Sequence, residues 1–398
     1  MNRNAVIAIL GTFDSKGEEH LFIRSCIERR GFQTLTINVG IKSPSPFPSN
    51  LDLYQEVIKD GKENLDSRDK AIQAVLLRAK ELVRKLHEKG EICGIISAGG
   101  GTGTHLGTSV MHSLPLGVPK VMVSTVASRD MANIVGTKDI TMMHSVVDLL
   151  GINSISGNIL DRAAGAICGM AEGKWRHQSG KRRIALTLFG FITQAAEGIK
   201  QSLEGMGYEV IPFHANGTGG MAMEELAAEA CFHGILDLAT HELADALMNG
   251  YCGGIGPERL EPVPGLDIPR LVVPGGLDCA VLEFNRHNVP DKFRDRKIFF
   301  YDFRSAIRLN DEETQYLAGQ LAKKLNHKTS NIKVLIPILG WSEADREGGP
   351  LYDPMISEAF IRRLKGDLDP LIEVREVDLH INDPSFATVA SNLMDEML

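Results

Sequence analysis

Residues 95–104 read Ile95-Ile96-Ser97-Ala98-Gly99-Gly100-Gly101-Thr102-Gly103-Thr104. An apolar run from Cys93 to Ile96 gives way to glycines interleaved with threonine, and a helix-like segment follows from His105 to Leu114. The pattern predicts a buried strand, a tight turn and a helix N-terminus. Glycine lets a ligand approach the backbone closely. The free N–H groups and dipole at a helix start favour an anion, most often a phosphate. The string is neither a P-loop, since no Gly-Lys-Ser/Thr follows, nor a clean G-x-G-x-x-G. It also suits a glycine-rich packing turn.

Outward from this loop the chain repeats one rhythm. Ala5 to Leu10 is an unbroken apolar run, as expected of a strand covered on both faces. It ends in Gly11-Thr12-Phe13-Asp14-Ser15-Lys16-Gly17, a helix pattern follows from Glu18 to Arg30, and Thr34 to Val39 is the next strand. Residues 42–69, opened by Pro44, Pro46 and Pro48, break the rhythm before a helix over Lys70 to Glu88. Lys120 to Val126 and Asp139 to Val147 read as further strands. After a basic stretch, Gly173 to Arg183, the scheme restarts with strands at Ile184, Glu209, Gly234, Arg270, Lys297, Lys333 and Ile372. This alternation predicts an α/β protein of two doubly wound, mainly parallel, Rossmann-like domains, residues 1–178 and 184–398.

Length and composition agree: 398 residues exceed one ordinary core, and 43% hydrophobic with 24% charged residues is a globular composition. A formal net charge of −8 argues against nucleic acid or an anionic membrane as partner. No apolar run reaches the roughly 18 residues of a membrane span. The start lacks a plausible signal-cleavage site, and six scattered cysteines form no C-x-x-C pair. A cytoplasmic protein is therefore expected.

Loops after parallel strands share one sheet edge and converge on ligands there. In the first half this gathers Gly11, Thr12, Asp14 and Lys16, then Gly99, Gly100, Gly101, Thr102, Gly103 and Thr104, then Thr125 and Ser128, with Asp139 nearby. Lys16 suits a phosphate, and Asp14 or Asp139 suits Mg²⁺ or a ribose hydroxyl; Asp14 and Ser15 also suit plain capping of the next helix. In the second half His214 ends a strand before Gly217-Thr218-Gly219-Gly220. His241 and Asp245 are four apart and share a helix face, and Glu224 lies on another helix. If these converge they offer acid–base chemistry on a small anionic substrate, with an anion near Gly219 and Gly220. His241-Glu242-Leu243-Ala244-Asp245 departs from H-E-x-x-H in its last residue, so no metal site is expected.

Several strings together carry a resemblance. They are Gly11 to Lys16, Gly99 to Thr104, Val118 to Ser128, Val135 to Met143 with Ser145 to Asp148, Phe213 to Glu224, and Asp237 to Asp245. The chain resembles the tomato mosaic virus resistance protein-like ATP-binding family over nearly its whole length. The resemblance implies two α/β subdomains and an ATP site in the amino-terminal one. With that site Mg²⁺ is expected as an optional companion, and the protein is expected to be a homo-oligomer, most simply a homodimer. Two rivals stand beside that reading: a metabolic enzyme for a small carbonyl or carboxylate substrate using His214, Glu224, His241 and Asp245, and a regulatory module holding ATP as a structural ligand.

Overall fold

The computed structural model describes residues 6–59, 67–173, 180–327 and 331–398. The chain falls into two compact units, Met1–His177 and Gln178–Leu398.

In the first unit the elements are β1 (Val6–Gly11), α1 (Phe13–Arg29), β2 (Gln33–Asn38), β3 (Leu51–Asp52), α2 (Arg68–Glu88), β4 (Gly94–Gly99), α3 (Gly101–Met111), β5 (Lys120–Ser124), α4 (Ala132–Val135), β6 (Thr141–His144) and α5 (Ser154–Glu172). All strand pairs are parallel, in the order β3-β2-β1-β4-β5-β6. The strands are apolar throughout because both faces are covered. Ile7 and Ile9 pack with residues of α1 and α5. Ala8 and Leu10, pointing the other way, pack with residues of α2 and α3. The order reverses between β1 and β4, which opens a crevice beyond their carboxyl ends.

The second unit contains β7 (Arg183–Leu188), α6 (Thr193–Gly205), β8 (Glu209–His214), α7 (Thr218–Ala228), β9 (Gly234–Ala239), α8 (Glu242–Met248), β10 (Arg270–Gly275), β11 (Cys279–Leu282), β12 (Ile298–Phe300), β13 (Ser305–Arg308), α9 (Asp311–Leu325), β14 (Ile332–Pro337), α10 (Pro354–Asp367), β15 (Glu373–Val377) and α11 (Pro384–Met397). Its parallel sheet runs β15-β14-β10-β9-β7-β8, so the order reverses between β7 and β9. Both units are thus doubly wound α/β sheets, as the alternation predicts.

The structure differs from the sequence reading in three places. The strand expected at Lys297 is β12, and it joins β11 and β13 in a small antiparallel sheet instead of the parallel one. Its three-residue span carries Ile298, Phe299 and Phe300 in a row, with no alternation to show which sheet it joins. The helix expected from Glu18 begins at Phe13 and kinks at Lys16, so Asp14 and Ser15 lie inside it and do not cap it. The irregular stretch after Lys42 includes β3 and a π-helical turn, Tyr54–Lys59, while residues 60–66 lie outside the described residues. Part of the basic stretch, residues 174–179, does too. No helix among the described residues is long and apolar enough to cross a membrane, and all six cysteines are free thiols.

Candidate functional sites at the two sheet crevices

In the first unit, the turns after β1 and β4 meet at the crevice. They line a cavity of ≈ 210 Å³ with Thr12, Asp14, Lys16, Lys42, Arg68 and Gly100 to Gly103. Helix α3 starts inside the expected glycine loop, at Gly101, and among the described residues no side chain caps it. Its first N–H groups and three side-chain cations therefore belong to one cavity.

The glycines of this loop divide into two kinds. A Cβ on Gly99 would lie 2.9 Å from the Gly103 Cα, so packing demands glycine there. A Cβ on Gly100 would meet only the Thr125 Oγ1, at 3.7 Å. One on Gly103 would reach only the Ala98 carbonyl, also at 3.7 Å, and one on Gly101 would meet nothing within 4 Å. None of these three has a positive φ. The fold leaves room for side chains at all three, and what glycine adds there is access to the backbone.

Other expected ligand residues have structural work. Gly11 makes room for the ring of His20, which its Cβ would overlap. Thr104 is fully buried and its hydroxyl bonds the Ser124 hydroxyl at 2.7 Å, fastening α3 to β5, so it is not a phosphate donor. Asp139 precedes β6 and sits at the amino edge of the sheet, where it accepts from Lys120 Nζ at 2.7 Å and the Gly117 N–H at 2.9 Å. It cannot serve a site at the carboxyl edge, where it was expected, because a residue that leads into a parallel strand lies at that strand's amino end. Asp14 accepts the Lys42 N–H at 2.9 Å, and the Lys16 ammonium donates to the Leu149 carbonyl. Thr125 and Ser128 follow β5, with Ser128 exposed and neither lining the cavity.

In the second unit the four expected polar residues do not form one acid–base group. Glu224 is buried among Arg270, Arg259 and the Leu260 N–H, with bonds of 2.6 to 3.1 Å. Burial opposes its ionisation, but the two guanidinium groups hold its carboxyl below the usual range. Asp237 and Glu242 complete this cluster of two arginines and three carboxylates. Glu224 is therefore an ion-pair member, not a proton carrier. The expected anion position at the start of α7 is also taken. Glu242 Oε1 accepts the Gly217 N–H at 2.7 Å and Asn216 Oδ1 accepts the Gly219 N–H at 3.0 Å. A Cβ on Gly220 would overlap the Glu242 carboxylate, so that glycine admits a protein side chain and not a ligand.

His214 stands exposed at the end of β8. Its partial burial and the charge of Arg304 lower its pKa. His241 follows β9 at the crevice between β7 and β9, stacked on Phe189 with ring centroids 3.9 Å apart. It is buried, and neither ring nitrogen has a hydrogen-bond partner among the described residues. Burial foremost, then the charges of His214 and Arg259, lowers its pKa to about 3. One turn along α8, burial pushes Asp245 up to about 7 against the bonds it accepts from the Val281 and Cys252 N–H groups.

Family models match both units: the description "Uncharacterised protein family (UPF0261) N-terminal domain" fits residues 5–176, and its C-terminal counterpart fits residues 181–398. The chain belongs to the UPF0261 family. A UPF0261 protein of Clostridium tetani is 36% identical over 404 residues, covering 99% of each chain. The ToMV resistance protein Tm-1(GCR237) of Solanum lycopersicum is 34% identical over 344 residues, 84% of this chain and 45% of that protein. The resemblance read from the motifs is therefore a real kinship. Among solved structures, Acinetobacter baumannii MurG aligns over 99% of both chains with 11% identity and a TM-score of 0.24. A putative UDP-N-acetylglucosamine 2-epimerase from Listeria monocytogenes covers 68% of this chain and 78% of its own, with 12% identity and a TM-score of 0.22. Agreement this weak bears on neither ligand nor mechanism.

Several residues of these crevices escaped the sequence reading, among them Arg259, Arg270 and Cys252 in the second unit. Arg68 and Lys42 come from the irregular stretch and its flank, and only the fold brings them beside the glycine loop. His20 lies mid-helix with no motif around it; the sole hint was an isolated polar aromatic on the apolar face of α1.

Proposed function

We propose that the amino-terminal unit binds a nucleotide through its phosphates, ATP being the ligand that the family resemblance implies. The observation that carries this reading is the convergence, at the β1/β4 crevice, of an uncapped helix N-terminus with Lys16, Lys42 and Arg68. Gly100, Gly101 and Gly103, which the fold does not require to be glycine, keep the backbone within reach of phosphate oxygens. A cavity of ≈ 210 Å³ suits a polyphosphate, with the nucleoside extending beyond it. Asp14 is the carboxylate among the lining residues and is the natural contact for a phosphate-bound Mg²⁺. Among the described residues the lining holds one acid and no histidine, so the role proposed is binding.

The test is calorimetry and thermal unfolding with ATP, with and without Mg²⁺. A ligand confined to the folded state stabilises by about 2.7 kcal/mol at a hundredfold excess over Kd. Gly100→Val is expected to abolish binding with the fold intact, since the Gly100 backbone, φ −80 and ψ −162, is open to any residue. Absence of binding heat for the wild type under both conditions sinks the reading. Equal affinity for tripolyphosphate and ATP would reduce it to an anion site without nucleoside recognition.

A further inference from the structure

The buried polar groups of the second crevice form an incomplete set. His241, Asp245 and Cys252 each offer one ligand atom, and these atoms all lie within 4.8 Å of one another. His241 and Asp245 share one face of α8, while Cys252 reaches them from the loop that follows. That loop is built for close approach. Asn249 takes the left-handed conformation that ends α8, at φ 53 and ψ 44. A Cβ on Gly250 would lie 2.8 Å from the Asp245 Cγ, and one on Gly253 would lie 2.7 Å from the Asp245 carbonyl carbon. Glycine at both places lets residues 250–253 wrap against Asp245 and set Cys252 beside it.

The carboxylate is itself oriented from behind. Val281 N–H donates to Oδ1 at 2.7 Å and Cys252 N–H to Oδ2 at 2.8 Å. Each oxygen keeps a lone pair for another partner. His241 is the anomaly, since a fully buried imidazole with no partner on either nitrogen is costly. Phe189 covers one face of its ring, and Phe191 packs on Phe189, so this side is dry.

We propose that His241, Asp245 and Cys252 are the protein ligands of a divalent metal ion, Zn²⁺ by their donor set. Imidazole nitrogen, carboxylate oxygen and thiolate sulfur are its three habitual donors. With zinc bonds of about 2.0–2.3 Å, tetrahedral ligand atoms stand about 3.3–3.6 Å apart. From separations of at most 4.8 Å, the three donors need close by no more than about 1.5 Å to reach that spacing. The ion would partner the orphaned imidazole, and the second hydrogen-bonding layer that metal carboxylates require is already in place. Burial and the Asp245 charge push the Cys252 thiol up to about 12 in the metal-free protein, so loading displaces its proton. Three protein donors leave a fourth position for water or substrate, at a sheet edge where ligands bind.

The test is the full-length chain produced in zinc-depleted, cobalt-supplemented medium, so that a buried site loads as the protein folds. The expected result is about one cobalt per chain, with intense visible bands of four-coordinate cobalt and a near-ultraviolet thiolate-to-cobalt charge-transfer band. Cys252→Ser should remove the charge-transfer band. His241→Leu, which breaks no hydrogen bond, should fold normally and lower cobalt content at least tenfold. Wild-type protein without cobalt, or cobalt spectra unchanged in both variants, overturns the proposal. Because this readout does not involve nucleotides, it fails or succeeds independently of ATP binding by the other unit.

Discussion

The two sheets carry the same kind of crevice and treat it in opposite ways. Each crevice is backed by a buried histidine packed on a phenylalanine that follows the unit's first strand, His20 on Phe13 and His241 on Phe189. His20 is fully employed: its Nδ1 donates to the Lys16 carbonyl at 2.6 Å and its Nε2 accepts the Ala98 N–H at 3.3 Å. It ties α1 to β4 beneath the cavity and has nothing left for a ligand. His241 has no hydrogen-bond partner on either nitrogen among the described residues. The cavity above His20 is lined by cations and an uncapped helix, whereas beside His241 the helix start is filled by the protein's own Glu242. The lesson is that a glycine-rich turn before a helix does not by itself announce an anion site. What decides is whether the first-turn amides are already bonded and whether the glycines are forced by packing.

The largest expected effect comes from the ion cluster that fills the second unit. Arg259 is fully buried and ion-pairs with Glu224, Asp237 and Glu242. Arg259→Leu would leave three carboxylates with only Arg270 between them. Breaking a buried ion pair by removing one partner costs about 3–5 kcal/mol. Lys42→Ala, at the exposed cavity of the first unit, should cost less than about 1 kcal/mol. Urea unfolding of both variants measures the contrast. Similar midpoints for the two would mean that the buried cluster does not stabilise the second unit more than an exposed cation stabilises the first.

A smaller effect sharpens the comparison of the histidines. His20→Leu removes the side-chain acceptor of the buried Ala98 N–H, and an unsatisfied buried group costs about 1–3 kcal/mol. His241→Leu in the metal-free protein strands nothing and should cost less than about 1.5 kcal/mol, as size-conserving apolar exchanges do. Equal losses in the two variants would erase the distinction between an employed histidine and an idle one.

The fold was legible in the sequence because strands such as Ile7 to Leu10 are apolar on both faces and are punctuated by glycine turns. The glycine loop at Gly99 was legible for the same reason. What could not be read was which polar residues are already satisfied. Glu224 and His241 look alike in sequence, each a polar residue in a helix after a glycine or threonine turn, yet one sits among two arginines and the other has no partner. Arg259 and Arg270 reach Glu224 from 35 and 46 residues away, and no local spacing encodes that. Asp139 shows the converse error: it was grouped with loops that follow strands, although it leads into β6 and so lies at the amino edge, bonded to Lys120.

The smallest effect is a pH dependence confined to His20. Burial foremost, opposed by its bond to the Lys16 carbonyl, lowers its pKa to about 4 from the ordinary 6.5. The unfolded chain therefore takes up this proton before the folded one does. The stability contributed by neutral His20 is complete above pH 6.5 and is lost as pH falls toward 4. For those two pKa values the loss at pH 5.5 is about 1.4 kcal/mol. Wild type should thus lose its advantage over His20→Leu by about that amount between pH 7.5 and pH 5.5, as measured by urea unfolding at each pH. His241 is present in both proteins, so its own titration cancels from the difference. A difference that stays constant across this range would show that His20 is not held neutral by the fold, and would remove the strongest physical contrast between the two crevices.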